Sequence, residues 1–506
     1  MPLNKRRISL WNAALLLSVL VLAALFILES DDCYFFYWKY DSLLDFLLTR
    51  PDTSHAKIVS VPQNGRYLGN LLGVCLAKCF ESPLFPLRIV CFAGGLFLLS
   101  WGGAASLVRR TRRKEAFFFL LSMLLLAHRG IWQEVYSWGA AYANYLTPMA
   151  LLCCLPPLLG RAERARRPGG WYVLLLLVSL ACCLFMETVT LFLLAAASLA
   201  LLAQLWMRRR LPAPFLWLWL GAAAGAAVMF TAPGYGAVGS DGLREAGLEL
   251  MYRNVLSVFI GTLVRPAIPA LIITGFLLWH LRRQGCRWWL VCALISIPIH
   301  AVCLAEWARD LADPGNLLLP DPTLPLALVG TALAALWLVM VLLWRNRPAK
   351  RKVLLLILAL CLFSAPLLVV SIGGNRNFLP GFVVLCLVCL VLYDSAREAG
   401  LKLLLWPRAL ALVACCALIF VYGVNCRFYY QRMSYAREQV SAGAEQITLP
   451  LLPFAGFARN EQEWKGDLSY QIYRETPWDV GLIFVSYEKW IQSGYSLGGD
   501  SIDPQT

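Results

Sequence analysis

The chain has 506 residues, 59% of them hydrophobic and only 15% charged, with 45 Lys and Arg against 30 Asp and Glu and a net charge of +15. That balance excludes an ordinary water-soluble globular domain. The cations sit in short segments between apolar runs rather than on a compact basic domain with interleaved aromatics, which argues against a nucleic-acid partner.

Apolar runs near twenty residues long, enough to cross a hydrocarbon layer of roughly 30 Å at about 1.5 Å per helical residue, recur along the chain. They predict thirteen spans, at 10–28, 84–108, 115–128, 139–159, 171–186, 188–207, 212–230, 254–280, 288–305, 324–344, 353–372, 377–393 and 403–424. The N-terminus has a basic start and an apolar stretch, like a signal peptide. It has no convincing small-residue cleavage site before Glu29 and is read as an uncleaved first span. Residues 29–83 then form a long polar loop with Asp31, Asp32, a tyrosine-rich stretch and Pro51. From Arg66 to Phe80 that loop reads as an amphipathic helix lying in the interface, with Leu68, Leu71, Leu72, Cys75 and Cys79 on one side. Two spans are short of signal: 115–128, and the division of 171–207 at Glu187. Loops at 231–253, opening on the stop Thr231-Ala232-Pro233-Gly234, and at 306–323, acidic and proline-rich, follow. The tail 425–506 turns polar but keeps aromatics and valines, among them Trp464, Trp478 and Trp490, so it is expected to form a small α+β cap. The fold class is thus an all-α polytopic membrane protein with a transmembrane unit, 1–424, and a cap, 425–506.

Charge placement supports the two uncertain spans. With the N-terminus inside, the inner segments hold 26 of the 45 basic residues and, among acids, Glu115, Glu163, Asp394 and Glu398. The net charge then divides into about +22 inside and about −7 outside, as the positive-inside rule requires. Losing either span would move Arg109-Arg110-Thr111-Arg112-Arg113-Lys114 or Arg208-Arg209-Arg210 to the wrong face. The C-terminus and the cap fall outside.

What remains on the outer side is a sparse polar set. Ionisable groups near membrane depth cost about 2.5–3.5 kcal/mol at a helix centre, so each needs a partner or a purpose. Asp31 and Asp32 leave the first span together and, about 100° apart on a helix, can serve a substrate and a structural partner; two solvated loop acids read the same way. Glu187 interrupts a stretch from Trp171 to Met207 otherwise free of charge, and a plain helix N-terminal carboxylate also fits it. In HRGIWQEVYSWGAAYANYLTP, Trp138, Tyr142 and Tyr145 recur at helical spacing, as in an interfacial belt, while Glu134 and Asn144 lie outside any belt logic. Aromatic faces beside carboxylate and amide groups suit sugar rings. Arg66, Arg265 and Arg376 are outer arginines able to hold a phosphate; Arg376, after a Gly-Gly turn, could equally be a snorkelling side chain. The histidines, His55, His128, His280 and His300, are scattered, and no CxxC or zinc spacing joins the cysteines.

A first span ending in Asp-Asp, NGRYL before the second span, SWGAAYANYLTP into the fourth, an embedded FMET, the TAPG stop and GGNR before a late span together resemble the bacterial multi-pass GT-C-type glycosyltransferases. The resemblance runs in order over nearly the whole chain. It implies sugar transfer on the outer face of the cytoplasmic membrane from a polyprenyl-phosphate sugar donor to a cell-envelope acceptor glycan, lipid or protein. In that family the acidic residue near the end of span one acts as base or as ligand of a divalent cation; the position carries over to Asp31 and Asp32, with both roles open. The loop after the stop departs from the family, for it runs Tyr235-Gly236-Ala237 with no basic residue before Arg244. Phosphate contacts then fall to Arg66, Arg265 and Arg376, and sugar or acceptor contacts to Glu134, Trp138, Tyr142, Asn144, Tyr145 and Glu187. A transporter or flippase of a lipid-linked saccharide is the rival reading, although its charges would lie nearer mid-membrane and its halves would be related.

Overall fold

The computed structural model describes residues 2–29, 32, 35–36, 64–209, 211–232, 235, 247–312, 323–368, 372, 374–402, 405–458 and 481–492. Asp31, Cys33, most of the loop before Asn64, residues 236–246 and 313–322, and Trp464 and Trp478 of the tail lie outside them. Every apolar run expected to span is occupied by helix. In chain order these are α1 (Pro2–Leu25), the short α2 (Tyr67–Lys78), α3 (Phe85–Leu107), α4 (Arg113–Leu125), α5 (Arg129–Tyr136), α6 (Gly139–Arg164), α7 (Gly169–Cys183), α8 (Glu187–Arg208) and α9 (Ala213–Phe230). There follow α10 (Leu248–Val264), α11 (Ala267–Arg283), α12 (Trp289–Ala312), α13 (Leu324–Leu343), α14 (Arg347–Ser364), α15 (Asn375–Glu398) and α16 (Trp406–Ser441). The chain does break at Leu184–Met186 before Glu187, and the short fourth helix is present.

Nine of these helices are long and apolar enough to cross a membrane, among the described residues, or eleven if each bent pair, α4 with α5 and α10 with α11, is one span. Two more apolar helices, Leu10–Leu25 and Gly169–Cys183, are shorter. The molecule is a helical, multi-pass membrane protein, while the expected thirteen spans exceed this count. The bends have local causes. His128 is extended (φ −69°, ψ 161°) where α4 turns 95° into α5, and Pro266 stands at the 65° turn between α10 and α11.

The helix α15 is the hub. Its apolar stretch is 100% buried, against 17% for the stretch containing α14, because Leu, Val, Cys and Phe surround α15 on every side while α14 keeps one face outward. It packs on α4, α11 and α14. At one end of the bundle the basic segments meet. Arg112 lies 2.8 Å from Asp394 and 2.6 Å from Glu398, Arg397 lies 3.3 Å from Glu115, and Lys352 donates to the Leu107 carbonyl at 2.6 Å. The opposite end gathers the starts of α5, α6, α8 and α15 and the whole of α2.

The face of α2 differs from the expected one. Gly69, Gly73 and Ala77, with Asn70 and Leu76, are buried, whereas Leu68, Leu71 and Leu72 are half-buried and Cys75 is exposed. Small residues four apart let α2 lie against Ala140 and Asn144 of α6, a close approach that a stripe of leucines would prevent.

The last helix continues past 424. At 36 residues, α16 is about 54 Å long, well beyond the hydrocarbon thickness, and its final turns join the tail. Asn425 donates to the Phe454 carbonyl and accepts from the Phe454 N–H, both at 3.0 Å, and Arg432 donates to the Pro450 carbonyl at 3.3 Å. Beyond it, β1 (Gln446–Pro450) pairs in parallel with β2 (Gly481–Val485), Gln446 opposite Gly481, followed by α17 (Tyr487–Gln492).

Candidate functional site at the polar end of the bundle

Three stretches at this end wind as π turns: Trp132–Tyr136, Tyr142–Leu146 and Ile260–Val264. Prolines account for two of them. Pro148 has no N–H for the Asn144 carbonyl four residues back, and Pro266 has none for that of Thr262, so the backbone before each closes with a wider turn. Each π turn re-aims polar side chains, among them Glu134, Asn144 and, directly after the third, Arg265.

The N-terminus of the hub helix α15 is held by a carboxylate from α5. Glu134 accepts the Arg376 N–H at 3.1 Å and the Asn375 side-chain amide at 3.3 Å. The Asn375 carbonyl oxygen in turn accepts from Arg265, so Asn375 joins Arg265 to Glu134. Gly374 makes this possible. It sits at φ +152°, a conformation other residues rarely adopt, and a Cβ there would collide with the Glu134 carboxylate. Gly374→Ala is therefore expected to cost roughly 1–3 kcal/mol, read as a lowered melting midpoint in detergent.

Arg376 then extends over the Trp138 indole, 5.1 Å from the ring centre. Its guanidinium is half-buried and, among the described residues, makes neither an ion pair nor a hydrogen bond. A cation held over a ring, with its planar fork of donors unused, is a ready anion ligand. The charged groups around neighbouring Arg265 are Asp310, Glu134, Glu306 and Arg129, and Arg129, almost wholly buried, lies 3.3 Å from Asp310.

Asp32 serves a different helix. It is 1% exposed, and its two carboxylate oxygens accept the N–H groups of Gly139 (2.8 Å) and Ala140 (2.6 Å), the first turn of α6. A buried carboxylate on the positive end of a helix is a capping group held in place from a distance. Asp32 thus has a structural partner, while Asp31 lies outside the described residues.

A second cluster forms around Glu187. Arg66 approaches it through Nε at 3.1 and 3.2 Å and through Nη2 at 2.9 Å, and the Tyr235 hydroxyl donates to it at 2.6 Å. Burial alone would lower the Arg66 pKa, but Glu187, with Tyr145 and Tyr235 nearby, outweighs it and leaves the guanidinium above its ordinary value. Asn64 accepts from the Arg66 N–H at 3.0 Å and from Asn70 at 3.1 Å, and Asn144 reaches Asn70 at 3.4 Å. Arg66 and Glu187, expected as a phosphate ligand and a sugar ligand, are thus each other's partners in this structure. Both side chains keep about a quarter of their exposure (27% and 24%), so a double-mutant cycle of Arg66→Ala and Glu187→Ala is expected to show a coupling of about 1–2 kcal/mol in thermal stability. Additive single effects would mean that the pair is incidental.

The expected single aromatic face does not form. Glu134, Trp138, Tyr142, Asn144 and Tyr145 are 1%, 4%, 2%, 6% and 5% exposed, so none presents an open surface. Helical spacing does not hold across the turns, since Trp138 is extended ahead of α6. Trp138 therefore meets Arg376, Tyr145 lies near Arg66, and the Tyr142 hydroxyl donates to the Phe92 carbonyl of α3.

Comparison with protein-family models, curated proteins and solved structures finds no match to this chain. Sequence reasoning passed over Arg129, Asp310, Glu306 and Asn375, which complete the cluster around Arg265. It also missed Arg88, which lies inside the expected second span. Arg88 is 1% exposed, packs between the rings of Phe80 and Phe92 and donates to the Phe26 and Ile27 carbonyls just past the end of α1. An arginine within an apolar run is itself the signal that could have found it. Among the described residues no three His, Cys, Asp or Glu side chains converge as a metal site.

Proposed function

We propose that this protein is a GT-C-type glycosyltransferase with about thirteen spans, which moves a sugar from a polyprenyl-phosphate donor to a cell-envelope acceptor on the outer face of the cytoplasmic membrane. The observation that carries the reading is Arg376, a guanidinium over Trp138 at the start of the most buried helix, with no carboxylate of the described residues paired to it. Counting each bent pair as one span and adding Leu10–Leu25 and Gly169–Cys183 gives the thirteen that the alternation of basic loops requires, with the N-terminus inside and Arg376 outside.

In this reaction an acceptor hydroxyl oxygen attacks the anomeric carbon. The bond from that carbon to the phosphate oxygen breaks, and its electron pair leaves on the polyprenyl phosphate. The hydroxyl proton passes to a carboxylate. Arg376 meets the charge gathering on the phosphate, with Arg265 beside it through Asn375. Asp31 takes the base role, because the Asp32 carboxylate is engaged at the start of α6. The buried aromatic and amide positions support the site's walls rather than the sugar.

The direct test uses purified protein in lipid nanodiscs with polyprenyl-phosphate sugar labelled in the sugar and an envelope extract as acceptor. Transfer of label with release of polyprenyl phosphate is expected. Movement of intact donor between leaflets of a proteoliposome, with no release, would instead establish the flippase reading.

A further inference from the structure

The opposite end of the bundle carries a pocket that this reading does not use. An open pocket of about 120 Å³ lies between the segment after α3 and the facing ends of α14 and α15, lined by Arg109, Asn346, Lys352, Asp394, Ser395 and Glu398. Those helix ends are where three apolar stretches stop, so the pocket sits at the depth of lipid headgroups. It holds both signs of charge. Arg109 is 80% exposed and only loosely near Glu398, at 3.5 Å, and Lys352 is exposed. Arg112 takes one oxygen each of Asp394 and Glu398, and the second oxygen of each has no donor among the described residues. An anion alone meets two carboxylates here, and a cation alone meets Arg109 and Lys352.

Deeper along the same two helices is a narrow apolar crevice of about 30 Å³, whose lining includes Trp337 and Val341 of α13, Ile357 and Leu360 of α14, and Leu385 and Val388 of α15. Pocket and crevice share one stripe on each helix: positions 349, 353, 356 and 360 on α14, and 384, 388, 391, 395 and 398 on α15, recur at three and four residues. Their centres are about nine residues apart, roughly 14 Å, which matches the half-thickness of a hydrocarbon core about 30 Å deep.

We infer that the polar pocket and the crevice together seat one zwitterionic aminophospholipid of the adjacent leaflet. Its ammonium faces Asp394 and Glu398, its phosphate faces Arg109 and Lys352, and an acyl chain lies along α14 and α15. The inference needs the multi-pass architecture but not the glycosyltransferase reading, and its failure would leave that reading untouched.

The full chain, in nanodiscs of mixed phosphatidylethanolamine, phosphatidylglycerol and phosphatidylcholine, is stripped with mild detergent and its retained lipid measured by native mass spectrometry. Phosphatidylethanolamine is expected to be retained about tenfold over the other two, the scale of one charge-assisted contact. Lys352→Glu, at an exposed position, and Ile357→Trp, which fills the crevice, are each expected to remove most of that retention at unchanged melting midpoint. Soluble glycerophosphoethanolamine is expected not to displace the lipid. Equal retention of the three lipids, preference for phosphatidylglycerol, displacement by the soluble headgroup, or indifference to both variants would each overturn the assignment.

Discussion

Replacing Arg376 with alanine is expected to lower product formation by about 100–1000-fold at normal protein level, the effect of removing one donor that stabilises charge in a transition state. The fold should tolerate the change. Its side chain is half-buried and makes no hydrogen bond or ion pair among the described residues, and its cation–π contact with Trp138 is worth about 0.5–1 kcal/mol at such a site. Arg376→Lys keeps a point charge but loses the planar fork, so an intermediate rate is expected. The measurement is label transfer in nanodiscs beside a melting curve. Wild-type transfer by folded Arg376→Ala protein would remove the observation on which the proposed function rests.

The second large effect separates two adjacent carboxylates. Asp32→Ala is expected to destabilise the protein by about 2–4 kcal/mol, because two N–H groups at the buried start of α6 lose a charged acceptor. Asp31→Ala is expected to change stability by less than about 0.5 kcal/mol and to abolish transfer. The readouts are a melting midpoint for one and turnover for the other, so the roles cannot be confused. A stable Asp32→Ala together with an active Asp31→Ala would count against both the capping role and the base role.

These two expectations differ in how far the sequence alone could reach them. The expectation that Asp31 and Asp32 divide between a substrate and a structural partner comes from their adjacency in the sequence. Which of them caps α6 does not, since Gly139 lies 107 residues away in the chain. Arg66 shows the same limit. As an outer arginine it looked available to a phosphate, and only the approach of α8, bringing Glu187 from 121 positions on, pairs it. The Gly-Gly turn singles out Arg376 in the sequence, but the lack of an ion pair to it among the described residues depends on Glu134 accepting its backbone N–H rather than its guanidinium.

The aromatic positions part from one face for a more local reason. Spacing of three and four residues places side chains on one face only while the helix stays regular, and Tyr142–Leu146 does not. One extra residue in a turn rotates everything before it, which is why Trp138, Tyr142 and Tyr145 serve three neighbours.

What the sequence by itself determined is the class of molecule. Apolar runs and basic loops act through their solvent, lipid or water, and that preference is a property of each segment taken alone. What only the tertiary structure decided is which polar groups remain available. A buried ionisable side chain is stable only with a partner, and here the partners of Asp32, Glu134, Arg66 and Arg88 come from segments distant in the chain. Among the described residues, Arg376 is a cation that this pairing passes over.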